Sequence, residues 1–207
     1  LVMTGFWDKN ENIQLRKQDI PTLFSEKALA EVEKIKLQNE ADLSAADRRD
    51  LRDLQILTID GPETRDFEDA LHIEKQGANY LVGIHISDVG LYVKQGTALF
   101  EEALTRGTSI YFPEKHYPML PAALAEDKLS LLKDQIRPAL SFLVLLSPAA
   151  EVLNFEIVRS IISVKQQLTY QVADQLVKQN QALAALAALS VLLRQRRVNR
   201  GAILLPM

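Results

Sequence analysis

Ile59-Asp60-Gly61-Pro62-Glu63-Thr64-Arg65-Asp66-Phe67-Glu68-Asp69-Ala70 places five carboxylates (Asp60, Glu63, Asp66, Glu68 and Asp69) within ten residues, between apolar flanks. Leu54 to Ile59 reads as a strand and Ala70 to Ile73 opens another, so the acidic run is a loop held between buried elements. Like charges confined to a compact loop repel, and raised pKa values or a bound cation relieve the repulsion. Carboxylate oxygens suit a hard divalent ion, above all Mg²⁺, which activates water and neutralises a phosphate under attack. Asp60 closes one strand and Asp69 opens the next, which lets both reach one point. Asp66 and Glu68 alternate with Phe67 and share a side where the chain is extended. Composition alone also suits a solvated acidic surface loop.

Outward from this run, strand patterns cover 54–59, 70–75, 80–86 and 108–112, followed by longer apolar runs at 139–147 and 152–164. In the last run both parities are apolar, which predicts a strand covered on both faces. A helix is expected at 97–106, a corner at Pro118-Met119-Leu120-Pro121, and helix again over 170–200, where Ala182 to Leu193 reads as a buried core helix. Gly201 suits the end of that helix. Before the strands, Ser25 to Gln38 is an amphipathic helix capped by Ser25, and Asn39 to Asp53 is a charged helix or linker. The fold class is α+β. A mixed, mostly antiparallel sheet with packed helices occupies 54–207, and a short helical segment and linker occupies 1–53. Leu1 to Trp7 and Gly201 to Met207 read like interior stretches of a longer polypeptide.

The bulk properties narrow the chemistry. The chain has 207 residues, 47% of them hydrophobic and 25% charged, which is ordinary for a globular protein without a membrane span. Without cysteine there are no disulfides or thiolate metal sites, which fits a cytoplasmic setting. With a formal charge of −3, phosphate binding must come from local patches or a metal. Three histidines without a pair at ligand spacing argue against zinc. Ser109 and Ser141 lack a His partner in any hydrolase motif, and no phosphate-cradling glycine loop occurs. His85, between Ile84 and Ile86, reads as a hydrogen-bonded core residue that Asp88 could hold. Tyr111 and Tyr170 are candidates for stacking on unpaired bases, and Arg106 and Arg137 for meeting phosphates, against the plainer roles of packed rings and structural ion pairs. Arg194, Arg196, Arg197 and Arg200 suit the negative end of a helix with no ligand.

Taken together, the chain resembles the catalytic (RNB) domain of the ribonuclease II and ribonuclease R family. The matching words are Thr58 to Gly61 with Asp66 to Ala70, Gly83 to Val89 with Tyr92-Val93, and Arg106 to Pro113. Pro118 to Pro121, Leu129-Ser130-Leu131 with Arg137, Leu168-Thr169-Tyr170, and Arg197 to Ala202 complete the set, in family order over about 54–205. The resemblance implies a hydrolytic exoribonuclease that works on single-stranded RNA from the 3′ end and releases nucleoside 5′-monophosphates. Its acidic positions fall on Asp60, Asp66, Glu68 and Asp69. Asp60 and Asp69 are then the principal Mg²⁺ ligands (Mn²⁺ a substitute) and Asp66 assists. Tyr111 stacks near the 3′-terminal nucleotide and Tyr170 on a base in the cleft. Glu68 departs from the family, which has Asp there, and this raises the alternative of a weakened RNA-binding relative. The family further implies a second half of the catalytic domain and a C-terminal S1 domain, and 1–50 lacks the texture of the usual cold-shock barrels.

Overall fold

The computed structural model describes residues 21–38, 42–43, 47–112 and 115–204. The expectations for Leu1 to Trp7 and for the last three residues lie outside these. In chain order the strands and the helices of seven residues or more are α1 (Glu26–Lys34), β1 (Arg49–Asp50), β2 (Ile56–Asp60), β3 (Asp69–Gln76), β4 (Asn79–Ser87), α2 (Ala98–Arg106), β5 (Ile110–Tyr111), β6 (His116–Tyr117), β7 (Ile136–Leu146), β8 (Val152–Thr169), α3 (Tyr170–Leu176) and α4 (Gln181–Asn199). They sort into two compact units, residues 1–36 with 90–124, and 37–89 with 125–207. The packing groups 90–124 with the N-terminal helix, a division separate from the one expected at residue 53.

In the first unit, Ser25 caps α1 by accepting from the Ala28 N–H, and Ala28 and Val32 bury one stripe. The helix is shorter than the pattern to Gln38. Thr97 caps α2, which ends on Gly107 at φ 71°. Each helix borrows from the other: the Glu31 carboxylate accepts from the Ala98 and Leu99 N–H groups, and Glu102 accepts from the backbone and hydroxyl of Ser25. Strands β5 and β6 form a separate two-stranded ribbon.

The second unit is built on a six-stranded sheet. Strand β8 is 18 residues long; it pairs antiparallel with β7 along one edge and parallel with β1 and then β2 along the other. The pairs β2–β3, β3–β4 and β4–β7 are antiparallel. The strands β2, β3, β4, β7 and β8 therefore pair in a closed circuit, which removes free edges among them. Side chains alternate between an enclosed and an outer face. The enclosed face carries Ile56, Ala70, Ala139, Ile162 and Val164 with Leu131, all essentially without exposure. On the outer face α3 and α4 cover β2, β3 and β4 through Val82, Leu146 and Leu189.

Two expectations are corrected. The helical stretch 170–200 is two helices bent by 106°, and α4 buries only Leu183 and Leu189. Val191, Leu192 and Leu193 are exposed because one side of α4 meets the sheet and nothing packs on the rest among the described residues. Strand β8 is covered on both faces only from Ser160 to Val164; Leu153, Phe155 and Ile157 lie open where it runs past β1 and β2. Gly201, at φ 94°, does end α4: its N–H bonds to the Val198 carbonyl, and that of Ala202 bonds to Arg197. Among the described residues no single helix is long and apolar enough to cross a membrane.

Candidate active site

The acidic residues gather at one end of the second unit. Asp60 is the last residue of β2 and lies beside Thr169 of β8, and Asp69 is the first residue of β3. The loop between them is braced from both sides. Thr64 N–H bonds to the Gly61 carbonyl to close a turn, and Ser87 N–H bonds to the Glu68 carbonyl. Ser130 Oγ donates to the Arg65 carbonyl at 2.9 Å and accepts from the Phe67 N–H at 3.0 Å, while Leu131 N–H donates to the Phe67 carbonyl at 2.8 Å. Among the described residues the loop is thus held by main-chain bonds, and no ion pair engages its carboxylates. The loop's Arg65 makes a solvated pair with Glu126, outside the loop, at 4.0 Å.

The four groups feel one another. Partial burial raises the Asp60 pKa, and the charges of Asp69 and Asp66 raise it further. Glu68 is raised by burial first and then by Asp66, Asp69 and Asp60, against a hydrogen bond from its own backbone N–H. An all-oxygen donor set under mutual repulsion fits a hard divalent cation. Among the described residues no three Asp, Glu, His or Cys side chains are gathered as a ready-made chelate, so a cation would draw these carboxylates together.

Tyr170 opens α3, one residue beyond the Thr169 that pairs with Asp60, and is more than half exposed. It lines an outer-face cavity of about 360 Å³ with Ile59, Leu71 and Ile84. Tyr111 lies in the first unit, exposed on the β5–β6 ribbon and stacked on His116 with centroids 4.4 Å apart.

Both arginines expected at phosphates are spent on protein. Arg137 is buried, and its guanidinium donates to the carbonyls of Ser130, Ile136 and Asp127. It fixes the segment that braces the acidic loop. Arg106 donates to the carbonyls of Pro21 and Leu23, pairs with Glu102 and sits 3.8 Å over the Phe24 ring. The plainer structural reading holds for each, because a buried cation needs partners wherever the chain supplies carbonyls.

His85 is the core residue its flanks suggested, but Asp88 does not hold it; Asp88 pairs with Arg48 at 2.6 Å. Instead, His72 Nδ1 lies 2.8 Å from His85 Nε2, and His85 Nδ1 lies 2.7 Å from Ser141 Oγ. Ser141 then meets Ser160, which donates to the Ala139 carbonyl. Counting protons fixes the chain. Ser160 spends its proton on Ala139 and Ser141 donates to Ser160, so His85 donates from Nδ1 and accepts from His72. The row crosses four neighbouring strands and ends on a buried His72 Nε2 without a partner. The bond roles of Ser87, Ser130 and His72 escaped the sequence reading. The signal available was small or polar residues at enclosed positions of otherwise apolar strands.

The chain matches the family described as RNB domain over residues 48–207. It is 36% identical over 168 residues to a ribonuclease R of Thermotoga maritima, covering 76% of this chain and 24% of that one. Identity to a ribonuclease R of Chlamydia trachomatis is 34% over 206 residues, covering 92% of this chain and 30% of that one. The chain thus spans less than a third of each relative's length. Among solved structures, Mycoplasma genitalium RNase R in complex with ribose methylated single-stranded RNA superposes with a TM-score of 0.85 at 24% identity, over 93% of this chain and 32% of that one. That likeness carries the mixed α+β fold.

Proposed function

Because the chain belongs to the RNB domain family, we propose that the protein is a Mg²⁺-dependent exoribonuclease. In this reading it shortens single-stranded RNA from the 3′ end and releases nucleoside 5′-monophosphates. The observation that carries it is the braced acidic loop, where Asp60 and Glu68 are raised by burial and by their neighbours' charges at the shared end of β2 and β3. Asp60, Asp66 and Asp69 would hold the cation, with Mn²⁺ as a substitute, and Glu68 shapes their common field. When bound, the ion lowers the pKa of water and offsets charge on the phosphate. The chain's own part is to fix the carboxylates through Ser130, Leu131 and Ser87, so that the charge is positioned before RNA arrives. Tyr170, exposed beside the Asp60 end, supplies a ring for a base without reading sequence, and Tyr111 offers a second ring. The remainder of the catalytic domain and an S1 domain belong to the same proposal for the whole protein, as does a cytoplasmic location.

The test is direct. Purified full-length protein in Mg²⁺ should shorten a 3′-tailed single-stranded RNA to mononucleotides, and EDTA should stop it. Intact RNA in Mg²⁺ and Mn²⁺ alike sinks the proposal.

A further inference from the structure

The last two turns of α4 carry Arg194, Arg196 and Arg197, and Arg200 caps the helix; the sequence explains all four as compensation for a helix dipole. The structure makes that explanation insufficient. The terminal carbonyls of Arg196, Arg197 and Val198 already accept main-chain N–H groups from Arg200, Gly201 and Ala202. The dipole itself amounts to about half a charge, which one guanidinium answers. Arg196 makes that contribution and also ties the helix to the β7–β8 turn, reaching Glu151 at 3.3 Å and the Ala149 carbonyl at 3.4 Å. Arg194, Arg197 and Arg200 stay exposed, and among the described residues no ion pair engages them.

Arg197 and Arg200 share the wall of a cleft of about 500 Å³ between α4 and that turn. The opposite wall is firm: Ser147 Oγ accepts from the Ala149 and Glu151 N–H groups, and Ala150 is buried at φ 56°. The rest of the lining is the Arg196–Glu151 pair and accessible apolar surface from Val152, Leu153 and Leu193. Positions three apart on a helix bring their Cβ atoms to about 5–6 Å, so Arg197 and Arg200 stand as neighbours beside an apolar shelf. A ligand offering several anionic groups together with flat apolar surface meets both walls, and single-stranded nucleic acid does so through phosphates and unstacked bases.

We propose that this cleft is a second, metal-independent contact for single-stranded RNA, with Arg197 and Arg200 on phosphates and Leu153 and Val152 beneath a base. This rests on RNA being the substrate, but it uses none of the acidic residues. The experiment measures binding of a fluorescein-labelled oligo(U) strand to the 207-residue chain by anisotropy, in EDTA, between 50 and 200 mM salt. The wild type should bind with a salt-dependent affinity. The pair Arg197→Glu and Arg200→Glu should weaken binding at least about tenfold at low salt and flatten the log–log slope by about 1.4, at about 0.7 per lost phosphate contact on a single strand. Arg197→Gln with Arg200→Gln should flatten the slope equally without charge reversal, and Lys75→Glu on exposed β3 should leave it unchanged.

Unaltered affinity and slope in both double variants overturn the proposal, as does a wild type that ignores oligo(U) at 50 mM salt. A polyglutamate peptide binding as tightly as oligo(U), and losing affinity in the same variants, assigns the cleft to an acidic protein segment and likewise overturns it. Because the readout is binding in EDTA, it fails separately from Mg²⁺-dependent RNA shortening.

Discussion

The second unit holds two concentrations of polar side chains, and they are built on opposite terms. In the row from His72 to Ser160 each donor meets an acceptor, and the groups lie on the enclosed face of the strand circuit. In the acidic loop the backbone is equally well bonded, yet Asp60 and Glu68 feel the charges of their neighbouring carboxylates with no basic side chain named against them. His85 is more deeply buried than any of the acids, and His85 is the structural residue. Depth alone therefore does not mark a site. Here the mark is unrelieved repulsion on a braced frame, which costs stability and leaves the acids poised for a ligand.

The largest effects should separate the two regions outright. Asp69→Asn removes a like charge and a proposed cation ligand together, so RNA shortening should fall about a thousandfold or more, over about 4 kcal/mol of transition-state stabilisation. The urea midpoint of the same variant should be unchanged or higher. A rate within tenfold of wild type breaks the assignment of the loop. Gly83→Ala should do the converse. A Cβ there would lie 2.1 Å from His72 Cε1 and 2.9 Å from His85 Nε2, so the histidine pair must move. Overpacking and an unpaired buried polar group together predict a loss of about 3 kcal/mol in chemical denaturation. A midpoint like wild type's would mean that the row is not the structural member of the comparison.

Acid distinguishes the regions by sign. Burial pushes the pKa of His85 down to about 3 and lowers that of His72, so between about 6.5 and 3 the unfolded chain binds protons that the folded chain refuses. Stability from the row is present above pH 6.5 and is lost as pH falls through that window, by up to about 1.4 kcal/mol per unit for His85, with His72 adding in the same direction. Asp60 and Glu68 are raised, so the folded state binds the extra proton and their penalty is relieved on acidification. Unfolding measured from pH 7.5 to 4.5 should show a net loss. With His85→Asn the histidine part of the slope should shrink. A slope unaffected by that change contradicts the neutral row.

Ser130→Ala tests the frame that joins the loop to its unit. It deletes the acceptor for the Phe67 N–H and the donor to the Arg65 carbonyl, so a loss of about 1–2 kcal/mol in stability is expected. Loosening the carboxylates should also lower RNA shortening about tenfold. Lost stability with full activity would show that the brace does not position the acids.

How much of this was legible in the residues follows from which forces are local. Alternation and periodicity placed β2, β3, β4, α1 and α2 within a few residues, because these patterns, like the Ser25 cap, act on their own neighbours. The acidic loop was legible for the same reason, since Asp60 and Asp69 lie at strand ends nine positions apart. What stayed hidden depends on distant partners. Nothing near Arg137 announces that Ser130 and Asp127 will take its N–H groups, and nothing near Arg106 points to Pro21 and Leu23. The open half of β8 was equally hidden, because alternation reports a strand's own faces and not where its neighbours stop.

Glu68→Asp is the smallest expected change and the most discriminating. The main-chain carbonyl of residue 68 accepts from Ser87 whatever side chain it carries, so the substitution withdraws the carboxylate by about one C–C bond, near 1.5 Å, without moving the loop. Misplacing a catalytic group by an ångström can cost about a hundredfold. If the longer side chain had disabled the site, restoring aspartate should return at least that factor from near zero. Glu68 is instead an exposed carboxylate within the field of Asp66, Asp69 and Asp60, where its charge is felt across several oxygens rather than through one contact. The expected change in rate is therefore below about threefold, read from single-turnover shortening of the same RNA. A gain of a hundredfold would turn the loop from a working site into a relic, and the contrast with the histidine row would then be one of history rather than of function.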